Sequence, residues 1–533
     1  MEFSYKQRAE SLREMADHGV DILVIGGGIT GAGVALDAAA RGFRTGLVEK
    51  ADFASGTSSK STKLVHGGLR YLPELDFALV REALIERGLL LQNAPFLVQP
   101  LGFVLPVYAE NKRPLGMPFA LPTPFAIRVA LSLGLLLYDV LSGRLGIERH
   151  RRLGVEQALR LASTLKRKGL RDAFIYYDAQ TDDTLLTMTV LRTAASNGAL
   201  IANYAEVIGF EEESGRLTQA VIRDTISGEE FRIHVGTVIN ATGIYANRIE
   251  ALAGQKSQIH IEAAKGIHLT IPRSVLKIDR VAVILPETED GRVLFIIPWG
   301  PCVTVGTTDT VGGDIDHPTP TDDDISYLLR HINRYMSVEL TEKDIISAWA
   351  GYRPLISRVQ NGKPSPKLSR THVIQEYPNG LITIAGGKLT TYRRMAQDVM
   401  DVVCKRLGEP IYHNTEHLPL LGTEGWQEAA ATSKAMAQQY HLSAETISRL
   451  EKYGSEALVM LELIAHDPAL AAPIVADLPY IFAEAVYACR YQMAMRAEDI
   501  IERRVHLAFE DRLHGTGAVS RITAIMAEEL KLS

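Results

Sequence analysis

Three closely spaced glycines near the start of the chain have the spacing of a dinucleotide-binding turn. Gly26, Gly28 and Gly31 form G-x-G-x-x-G between a short β-type run and an Ala-rich helical segment. The first glycine allows the tight turn, the second lets the backbone approach a pyrophosphate, and the third lets helix and strand pack closely. Glu49 ends the next β-type run, where a carboxylate can accept a hydrogen bond from a ribose 2′-OH. An acid at this position disfavours NADP.

Two further turns favour a longer cofactor than NAD. The segment Val238–Gly243 is an apolar run that ends in a sharp turn, and Ala385–Arg393 passes through a Gly-Gly turn into a helix. The glycine pattern alone does not separate NAD from FAD. Two more turns of this kind, returning to one nucleotide site, favour an extended cofactor such as FAD.

The elements around these turns indicate an α/β protein. A β-α-β pattern occupies the first fifty residues, and β-type runs are dense again between residues 259 and 306. The first pattern is typical of a doubly wound parallel sheet, and the second of a mixed or antiparallel sheet. Beyond a Pro- and Gly-punctuated connector after residue 408, the pattern is almost wholly helical.

Several segments, in a fixed order, resemble one family of flavoenzymes. They are DILVIGGGITGAG, ASGTSSKSTKLVHGGLRYL, VINATG, KGIHLTIP, FIIPW, VGTTDT, GYRPL and GGKLTTYR. Together they make the chain similar to the FAD-dependent, quinone-linked glycerol-3-phosphate dehydrogenases, and SSKSTKLVHGGLRYL is the most specific of them. The resemblance covers about residues 21–395, and the helical end matches more loosely.

This resemblance implies a fold, with a Rossmann-like FAD-binding domain of the glycine-oxidase-like kind, an inserted mixed-sheet substrate domain and an all-α C-terminal domain. The expected bounds are residues 1–90, 170–250 and 350–400 for the FAD-binding domain, 91–169 and 251–349 for the substrate-binding and membrane-facing domain, and 410–533 for the helical domain.

The resemblance also implies a reaction and partners. In that family FAD takes two electrons from sn-glycerol 3-phosphate, giving dihydroxyacetone phosphate, and a membrane quinone or, in an oxidase branch, oxygen receives them. The expected enzyme is peripheral to the membrane, on its cytoplasmic face, and often a homodimer. An oxidase, a flavin-binding module and an amine oxidase on the same fold are the alternatives. The inserted segment that oxidases often carry is not obvious here, which favours the dehydrogenase.

Carried over by position, the resemblance implies a set of residues around FAD. These are Gly26, Gly28, Gly31 and Glu49 at the ADP half, Ser58, Ser59, Thr62 and Lys63 along the pyrophosphate and isoalloxazine, and Thr242, Gly243, Gly387, Lys388 and Thr390 around the ribityl chain and ring.

A second set falls where the family's substrate pocket has polar and cationic side chains, namely Arg70, Tyr71, His268, Arg353, Arg370 and Lys388. Guanidinium groups hold phosphate through two parallel N–H bonds, so arginines suit a substrate that carries a phosphate dianion. Three arginines and a lysine suit that dianion better than the lone carboxylate of an amino acid.

Oxidation of a secondary alcohol also needs a base for the hydroxyl proton. His268 is the first candidate, because histidine titrates near neutral pH, and His66 is the second. Arg353 or Lys388 could stabilise a developing alkoxide. Lys388 could also stabilise the reduced, anionic flavin.

No metal site is expected. The pair Asp182–Asp183 has no third ligand in reach and is more typical of a turn or a helix start. His413 and His417 are four residues apart, but prolines bracket them in a connector, so they do not share a helical face.

Composition limits the class of protein. The 533 residues predict two or three domains, and the net charge of −6 argues against nucleic acid as a partner. Cys302, Cys404 and Cys489 lie far apart, which favours a reducing compartment over a disulfide framework. The first twenty residues lack the apolar core of a signal peptide.

The most apolar stretch, Phe119–Val140, raises the question of membrane contact. Its uncharged part, Val129–Tyr138, is far shorter than the roughly 20 residues that span a bilayer. A buried helix is the favoured interpretation. The alternative is a surface helix that dips into one leaflet, with Lys112, Arg113, Arg128 and Arg144 near anionic headgroups.

Overall fold

The structure is a computed structural model that describes residues 2–117, 119–360, 363–364 and 371–531. Within these ranges the strands are β1 Val20–Ile25, β2 Thr45–Val48, β3 Leu64–Val65, β4 Gln99–Tyr108, β5 Arg151–Leu153, β6 Leu170–Gln180, β7 Leu200–Ala202, β8 Ala205–Glu213, β9 Arg216–Asp224, β10 Glu230–Asn240, β11 Ile259–Pro272, β12 Val281–Leu285, β13 Leu294–Trp299, β14 Cys302–Gly306, β15 Thr310–Val311, β16 Ser347–Gln360, β17 Lys363–Pro364, β18 Val373–Glu376 and β19 Leu381–Ala385.

The α-helices in the same ranges are α1 Tyr5–His18, α2 Ile29–Ala40, α3 Phe77–Asn93, α4 Pro124–Ser142, α5 Val155–Leu161, α6 Asp183–Ser196, α7 Ala246–Leu252, α8 Arg273–Leu276, α9 Asp322–Tyr335, α10 Tyr392–Leu407, α11 Trp426–Gln439, α12 Ala444–Leu450, α13 Ala457–His466, α14 Phe482–Tyr491, α15 Leu507–Glu510 and α16 Val519–Leu530. A π-helical turn, Asp499–Arg504, precedes α15.

The smaller sheet contains the predicted β-α-β unit, which the structure confirms. Its strands follow the order β18-β19-β10-β1-β2-β7, and all pairs except β18–β19 are parallel. The hairpin β8–β9 extends it antiparallel from β10. Helices α2, α6 and α10 pack over one face of this sheet, and α1 packs over the other. All of β1 except Asp21, and all of β2, is therefore buried.

The larger sheet is mixed, as predicted, and mostly antiparallel. Its strands follow the order β17-β16-β11-β14-β13-β12-β4-β6-β3, with β15 beside β11 and β5 beside β6. The pair β4–β12 is parallel. The long strands β11 and β16 pair through twelve positions, so they present neighbouring side chains to the site described below.

Two segments lie in a different sheet from the one the predicted bounds imply. Residues 170–180 form β6, which pairs with β4, and residues 347–360 form β16, which pairs with β11. Both segments therefore belong to the larger sheet, whereas we assigned residues 170–250 and 350–400 to the FAD-binding domain. An apolar run predicts a buried strand but not which sheet it joins.

The apolar helix α4 is not the buried helix that we favoured. Thr123 caps its first turn and Pro124 occupies its first position. Ile127, Leu131 and Leu135 pack into the core, but Phe125, Leu133 and Val140 are 68%, 62% and 66% exposed. By length and composition alone, Pro124–Leu145 could cross a bilayer, and only 28% of its apolar window is buried. The prediction of a buried helix is wrong because the helix is apolar on both faces.

The C-terminal region is helical, as predicted, from α11 to α16. Its apolar side chains form part of the core beneath α6 and a second cluster around α14 and α16. The region therefore covers the start of α6 rather than standing apart from the two sheets.

Candidate active site

One elongated cavity of about 740 Å³ lies where the two sheets meet. Its walls include the residues that follow the carboxyl ends of β1, β2, β10 and β19, and residues of β11 and β16. In open α/β sheets, ligands bind at the carboxyl ends of the strands. The cavity is therefore the candidate cofactor and substrate site.

Backbone geometry forms one end of the cavity. Gly26 has φ +113°, and a Cβ there would lie 2.7 Å from the carbonyl oxygen of Ala241. A Cβ on Gly31 would collide with the carbonyl oxygen of Gly26, so this glycine lets α2 approach β1. Gly28 caps α2, and the Ser58 hydroxyl accepts a hydrogen bond from the N–H of Ile29 at 2.9 Å. The turn presents backbone N–H groups to the cavity, as phosphate binding requires.

Glu49 lines this end and also fixes the glycine turn. Its carboxylate accepts hydrogen bonds from the N–H of Gly27 at 2.7 Å and of Ala51 at 2.9 Å. Burial raises the pKa of Glu49, and these two N–H groups oppose that effect. The ring of Tyr245 lies at the same end of the cavity. The Lys50 ammonium is 4.1 Å from its centroid, and the Arg248 guanidinium also lies over this ring.

Most of the residues predicted around the cofactor meet at this cavity. Those that line it are Gly26, Gly28, Glu49, Ser58, Thr62, Thr242, Gly243, Gly387, Lys388 and Thr390. Gly31 lies behind the turn, where it packs the helix.

Ser59 and Lys63 do not line the cavity, in contrast to the prediction. The Ser59 hydroxyl points to the carbonyl oxygen of Gly56 at 3.5 Å. The Lys63 ammonium pairs with the buried carboxylate of Asp183 at 2.5 Å. This carboxylate is fully buried, so its charge draws the neighbouring lysine away from the cavity.

Cationic side chains gather at the other end. The guanidinium of Arg70 donates to the Tyr71 hydroxyl at 3.1 Å and lies over the Tyr71 ring. The Lys388 ammonium lies 4.2 Å from the centroid of the same ring, and its Nζ has no hydrogen-bond partner among the described residues. Burial and the charge of Arg70 lower the pKa of Lys388 to about 8. Two cations on one ring form a site for an anion.

Arg353 reaches the cavity from β16. Its guanidinium donates to the Thr307 hydroxyl at 2.8 Å, to the carbonyl oxygen of Thr308 at 3.2 Å and to the Asp309 carboxylate at 3.3 Å. Burial lowers the pKa of Arg353, and the Asp309 carboxylate opposes this. The guanidinium is thus held in one orientation while it faces the cavity.

Both candidate histidines line the cavity and are neutral. The Nε2 atom of His268 lies 3.0 Å from the Thr62 hydroxyl. Burial and the charges of Arg353 and Lys63 lower the pKa of His268 well below its usual value. Burial, with the charges of Lys388 and Arg70, lowers the pKa of His66 to about 3. A neutral imidazole can accept a proton, and a bound dianion would raise either pKa.

The arrangement fits a flavin dinucleotide. A backbone cradle for a pyrophosphate and an acidic ribose site lie at one end of a continuous cavity, and an unpartnered buried ammonium lies towards the other. Comparison with known proteins agrees with this fit. Residues 21–439 match the model of a family described as FAD dependent oxidoreductase. The chain belongs to the FAD-dependent oxidoreductase family.

The relatives of this oxidoreductase narrow the family further. Residues 413–533 match the C-terminal domain of alpha-glycerophosphate oxidase. Glycerol-3-phosphate dehydrogenase 2 of Mycobacterium bovis is 38% identical over 98% of this chain and 87% of its own. The FAD complex of glycerol-3-phosphate dehydrogenase from Bacillus halodurans superposes with a TM-score of 0.78, at 30% identity over 99% of this chain and 94% of that one.

A more distant structure shares the fold alone. Glycine oxidase from Geobacillus kaustophilus has a TM-score of 0.50 at 20% identity, over 72% of this chain and 95% of its own. The predicted glycine-oxidase-like fold of this oxidoreductase is confirmed, and FAD is its cofactor.

Several cavity residues were not predicted from the sequence. Thr307 and Asp309, which hold Arg353, lie in VGTTDT, a segment that carried the resemblance but supplied no predicted site residue. Asp178 and Tyr176 also line the cavity. They belong to β6, which falls within residues 170–250, the segment expected in the FAD-binding domain. The strand is buried at most positions and its sequence does not alternate, so no local signal could have placed them. The predicted substrate residue Arg370 lies outside the described residues.

Proposed function

We propose that this FAD-dependent oxidoreductase oxidises sn-glycerol 3-phosphate to dihydroxyacetone phosphate and passes the electrons to a membrane quinone. The observation that carries the proposal is the cationic end of the cavity, where Arg70, Lys388 and Arg353 surround a space continuous with the dinucleotide end. A substrate with a phosphate dianion supplies the counter-charge that Arg70 and Lys388 lack among the described residues. The relatives named as glycerol-3-phosphate dehydrogenases support the same substrate.

Arg70 and Lys388 are the proposed phosphate ligands. Both rest on the Tyr71 ring, which limits their conformations before the substrate arrives. A preorganised pair of cations loses less conformational entropy on binding than two freely moving side chains. The neutral alcohol end of the substrate then faces Arg353 and the two histidines.

His268 is the proposed base for the substrate hydroxyl. Its ring is neutral, and the Thr62 hydroxyl at 3.0 Å fixes its orientation. Arg353, held by Thr307 and Asp309, would stabilise the alkoxide that forms as the proton leaves. Bound FAD supplies the two-electron acceptor for the C2 hydride. The glycine turn, Glu49 and Ser58 would hold its ADP half, and Lys388 and Thr390 the flavin end.

The first experiment is anaerobic reduction of the purified protein, followed by its flavin absorbance near 450 nm. We expect bleaching by sn-glycerol 3-phosphate and none by glycerol, which lacks the phosphate. A yellow protein that neither compound bleaches would contradict the proposed substrate and favour a flavin-binding module or an amine oxidase. Admitting a quinone analogue or oxygen to the reduced protein then identifies the acceptor, and rapid reoxidation by oxygen would favour an oxidase.

A cytoplasmic membrane surface is the proposed location, with α4 as the contact. Several exposed apolar side chains lie together on α4 and form an apolar face. Isolated apolar residues scattered over a surface would not form such a face. The exposed basic residues Lys112, Arg113 and Arg144 lie near its ends, where anionic headgroups would meet them. A helix lying in one leaflet would bring the protein to the layer in which quinones dissolve.

Sedimentation with vesicles that contain anionic lipid tests this contact. We expect Leu133→Glu to remain in the supernatant while the wild type sediments. Leu513→Glu is the matched control, because Leu513 is 66% exposed but lies far along the chain in the C-terminal region. Equal sedimentation of wild type and Leu133→Glu would contradict α4 as the anchor. The homodimer implied by the resemblance stays a prediction, which light scattering in detergent tests.

A further inference from the structure

Residues of the C-terminal region hold two parts of the candidate active site in place. One part is the ring of His268, and the other is the loop Ser61–Lys63 beside the cavity. The two parts touch each other, because the Thr62 hydroxyl lies 3.0 Å from His268 Nε2.

The ring of His268 is the end of an aromatic stack. It is parallel to the ring of Trp349, its cross-strand partner in β11–β16, with centroids 4.3 Å apart and an angle of 18° between the planes. Trp349 in turn packs against Phe509 of α15, with centroids 5.2 Å apart. Protein interiors are close-packed and transmit displacement. A shift of α15 therefore reaches the ring of His268 through two aromatic contacts.

The loop Ser61–Lys63 is held by a single carboxylate. Asp183 accepts hydrogen bonds from the N–H and the hydroxyl of Ser61, at 3.0 and 2.7 Å, and pairs with the Lys63 ammonium at 2.5 Å. Lys63 has φ +58°, a conformation that a non-glycine residue keeps only when its surroundings enforce it. The orientation of Thr62, between these residues, depends on Asp183.

The adjoining carboxylate links this loop to the C-terminal region. Asp182, which caps α6, accepts from the Arg449 guanidinium at 3.0 Å and lies 2.8 Å from Nε2 of His506. Burial alone would raise the pKa of Asp182, but His506 and Arg449 hold it well below its usual value. Asp183 therefore binds the loop Ser61–Lys63, and the neighbouring Asp182 binds the C-terminal region.

We propose that Phe509 and His506 are positioning residues, which fix His268 and the loop Ser61–Lys63 for the reaction without touching the substrate. This inference rests on the proposed function, in which His268 accepts the hydroxyl proton. Buried ion pairs add little net stability compared with apolar packing, but they specify one geometry. Two separate contacts from the C-terminal region converge on one histidine, which a purely stabilising region would not require.

The variant Phe509→Leu tests the aromatic contact. We expect the rate of anaerobic flavin reduction at saturating glycerol 3-phosphate to fall about tenfold, because small misplacements of a catalytic group are costly. The KM and the FAD content should stay within about twofold of the wild type, since neither ligand touches Phe509. Phe509→Tyr keeps the ring and should restore the rate.

Phe482→Leu is the matched control. Phe482 is buried in the same region, and its ring lies 3.7 Å from the Arg521 guanidinium rather than against Trp349. It should lower the melting temperature and leave the reduction rate unchanged. An unchanged rate in Phe509→Leu, or an equal loss of rate in Phe482→Leu, would overturn the inference.

The variant His506→Gln tests the second contact by measurements that need no substrate. We expect an altered visible circular dichroism spectrum of the bound flavin and about tenfold weaker FAD binding, because the loop loses its anchor. His514→Gln, at an exposed histidine of the same region, should match the wild type. Failure of glycerol 3-phosphate to bleach the wild type would reject the proposed function alone. A flavin spectrum and an FAD affinity identical to wild type in His506→Gln would reject the positioning role, whatever the activity of the protein.

Discussion

The two ends of the cavity differ in the atoms that face the ligand, which are main-chain atoms at one end and side chains at the other. At the dinucleotide end, main-chain atoms of the turn after β1 face the ligand, and Gly26 and Gly31 are required because any Cβ would strike another backbone atom. At the cationic end, Arg70, Tyr71, Lys388 and Arg353 face the substrate space from separate segments. The first end is specified locally in the chain, whereas the second exists only when both sheets have assembled.

This difference predicts different responses to substitution. Changes at the dinucleotide end should act on FAD affinity, because the main chain has no alternative path around an added Cβ. Changes at the cationic end should act on substrate binding and on the rate of flavin reduction, with FAD retained. The predictions below test that separation, from the largest expected effect to the smallest.

Arg353→Met should lower kcat/KM about 10³-fold with FAD still bound, because the guanidinium that stabilises the alkoxide is lost. Anaerobic stopped-flow reduction and the flavin absorbance per protein measure the two quantities. Arg292→Met is the control, since Arg292 also lines the cavity but its partner Asp290 does not, whereas Asp309, the partner of Arg353, does. A loss of less than about tenfold in Arg353→Met would remove Arg353 from the reaction.

His268→Ala should slow flavin reduction a few hundredfold, roughly the contribution of a general base, with little loss of FAD. His66→Ala should have a smaller effect, because the Thr62 hydroxyl orients the ring of His268, whereas no hydrogen bond among the described residues orients the ring of His66. Single-turnover kinetics of both variants rank the two histidines. A near wild-type rate in His268→Ala would transfer the role of base to His66 or Arg353.

Gly26→Ala should weaken FAD binding about 100-fold, because φ +113° is strained for alanine and the new Cβ would lie 2.7 Å from a carbonyl oxygen. Gly42→Ala is the control. Gly42 also has a positive φ, +91°, but no atom lies within 4 Å of its added Cβ. Titration of the apoprotein with FAD should show normal affinity for Gly42→Ala. Normal FAD affinity in Gly26→Ala as well would contradict the role of the turn after β1 in binding the cofactor.

Lys388→Met should alter the pH dependence of substrate affinity. The pKa of Lys388 is lowered to about 8 by burial and Arg70, so the side chain is charged below pH 8 and neutral above it. Phosphate binds the charged form, so the wild-type affinity should be constant just below pH 8 and fall up to about tenfold per pH unit above it. The variant should bind about tenfold more weakly at pH 7 and lack this decline. If the decline of substrate affinity above pH 8 persists in Lys388→Met, the titration of another group causes it.

Tyr71→Phe should raise the KM only about threefold, the effect of one hydrogen bond, because the ring under Arg70 and Lys388 remains. Tyr71→Ala removes the ring as well and should raise it further. Steady-state kinetics of the pair separate the hydroxyl from the ring. Equal effects would show that the ring does not organise the cations.

Sequence reasoning predicted the dinucleotide end well because its signal is local. The spacing of Gly26, Gly28 and Gly31 fixes a turn that hardly depends on the rest of the chain, and the structure places it at the cavity. Lys63 was placed there by its position in a motif. A buried carboxylate from another segment, Asp183, draws its ammonium away. Pairing of this kind between distant segments is not visible in a sequence.

The remaining differences have the same origin. The membership of β6 and β16 in the larger sheet could not be predicted, because an apolar strand does not reveal its partner. Helix α4 was expected to be buried because apolar helices usually are, and only the folded structure shows that several of its apolar side chains are exposed. The Thr307–Asp309 support of Arg353 likewise follows from pairing between β11, β14 and β16.

The stack of His268, Trp349 and Phe509 has an optical consequence. Of the three tryptophans in the chain, Trp349 lies against a histidine of the active site, and Trp299 lies beside His506 with its indole N–H bonded to Glu510. The third, Trp426, lies at the start of α11. Replacing Trp299 and Trp426 by Phe would leave Trp349 as the single tryptophan, at the junction of the C-terminal region and the larger sheet. Its fluorescence would then report docking of the C-terminal region during refolding.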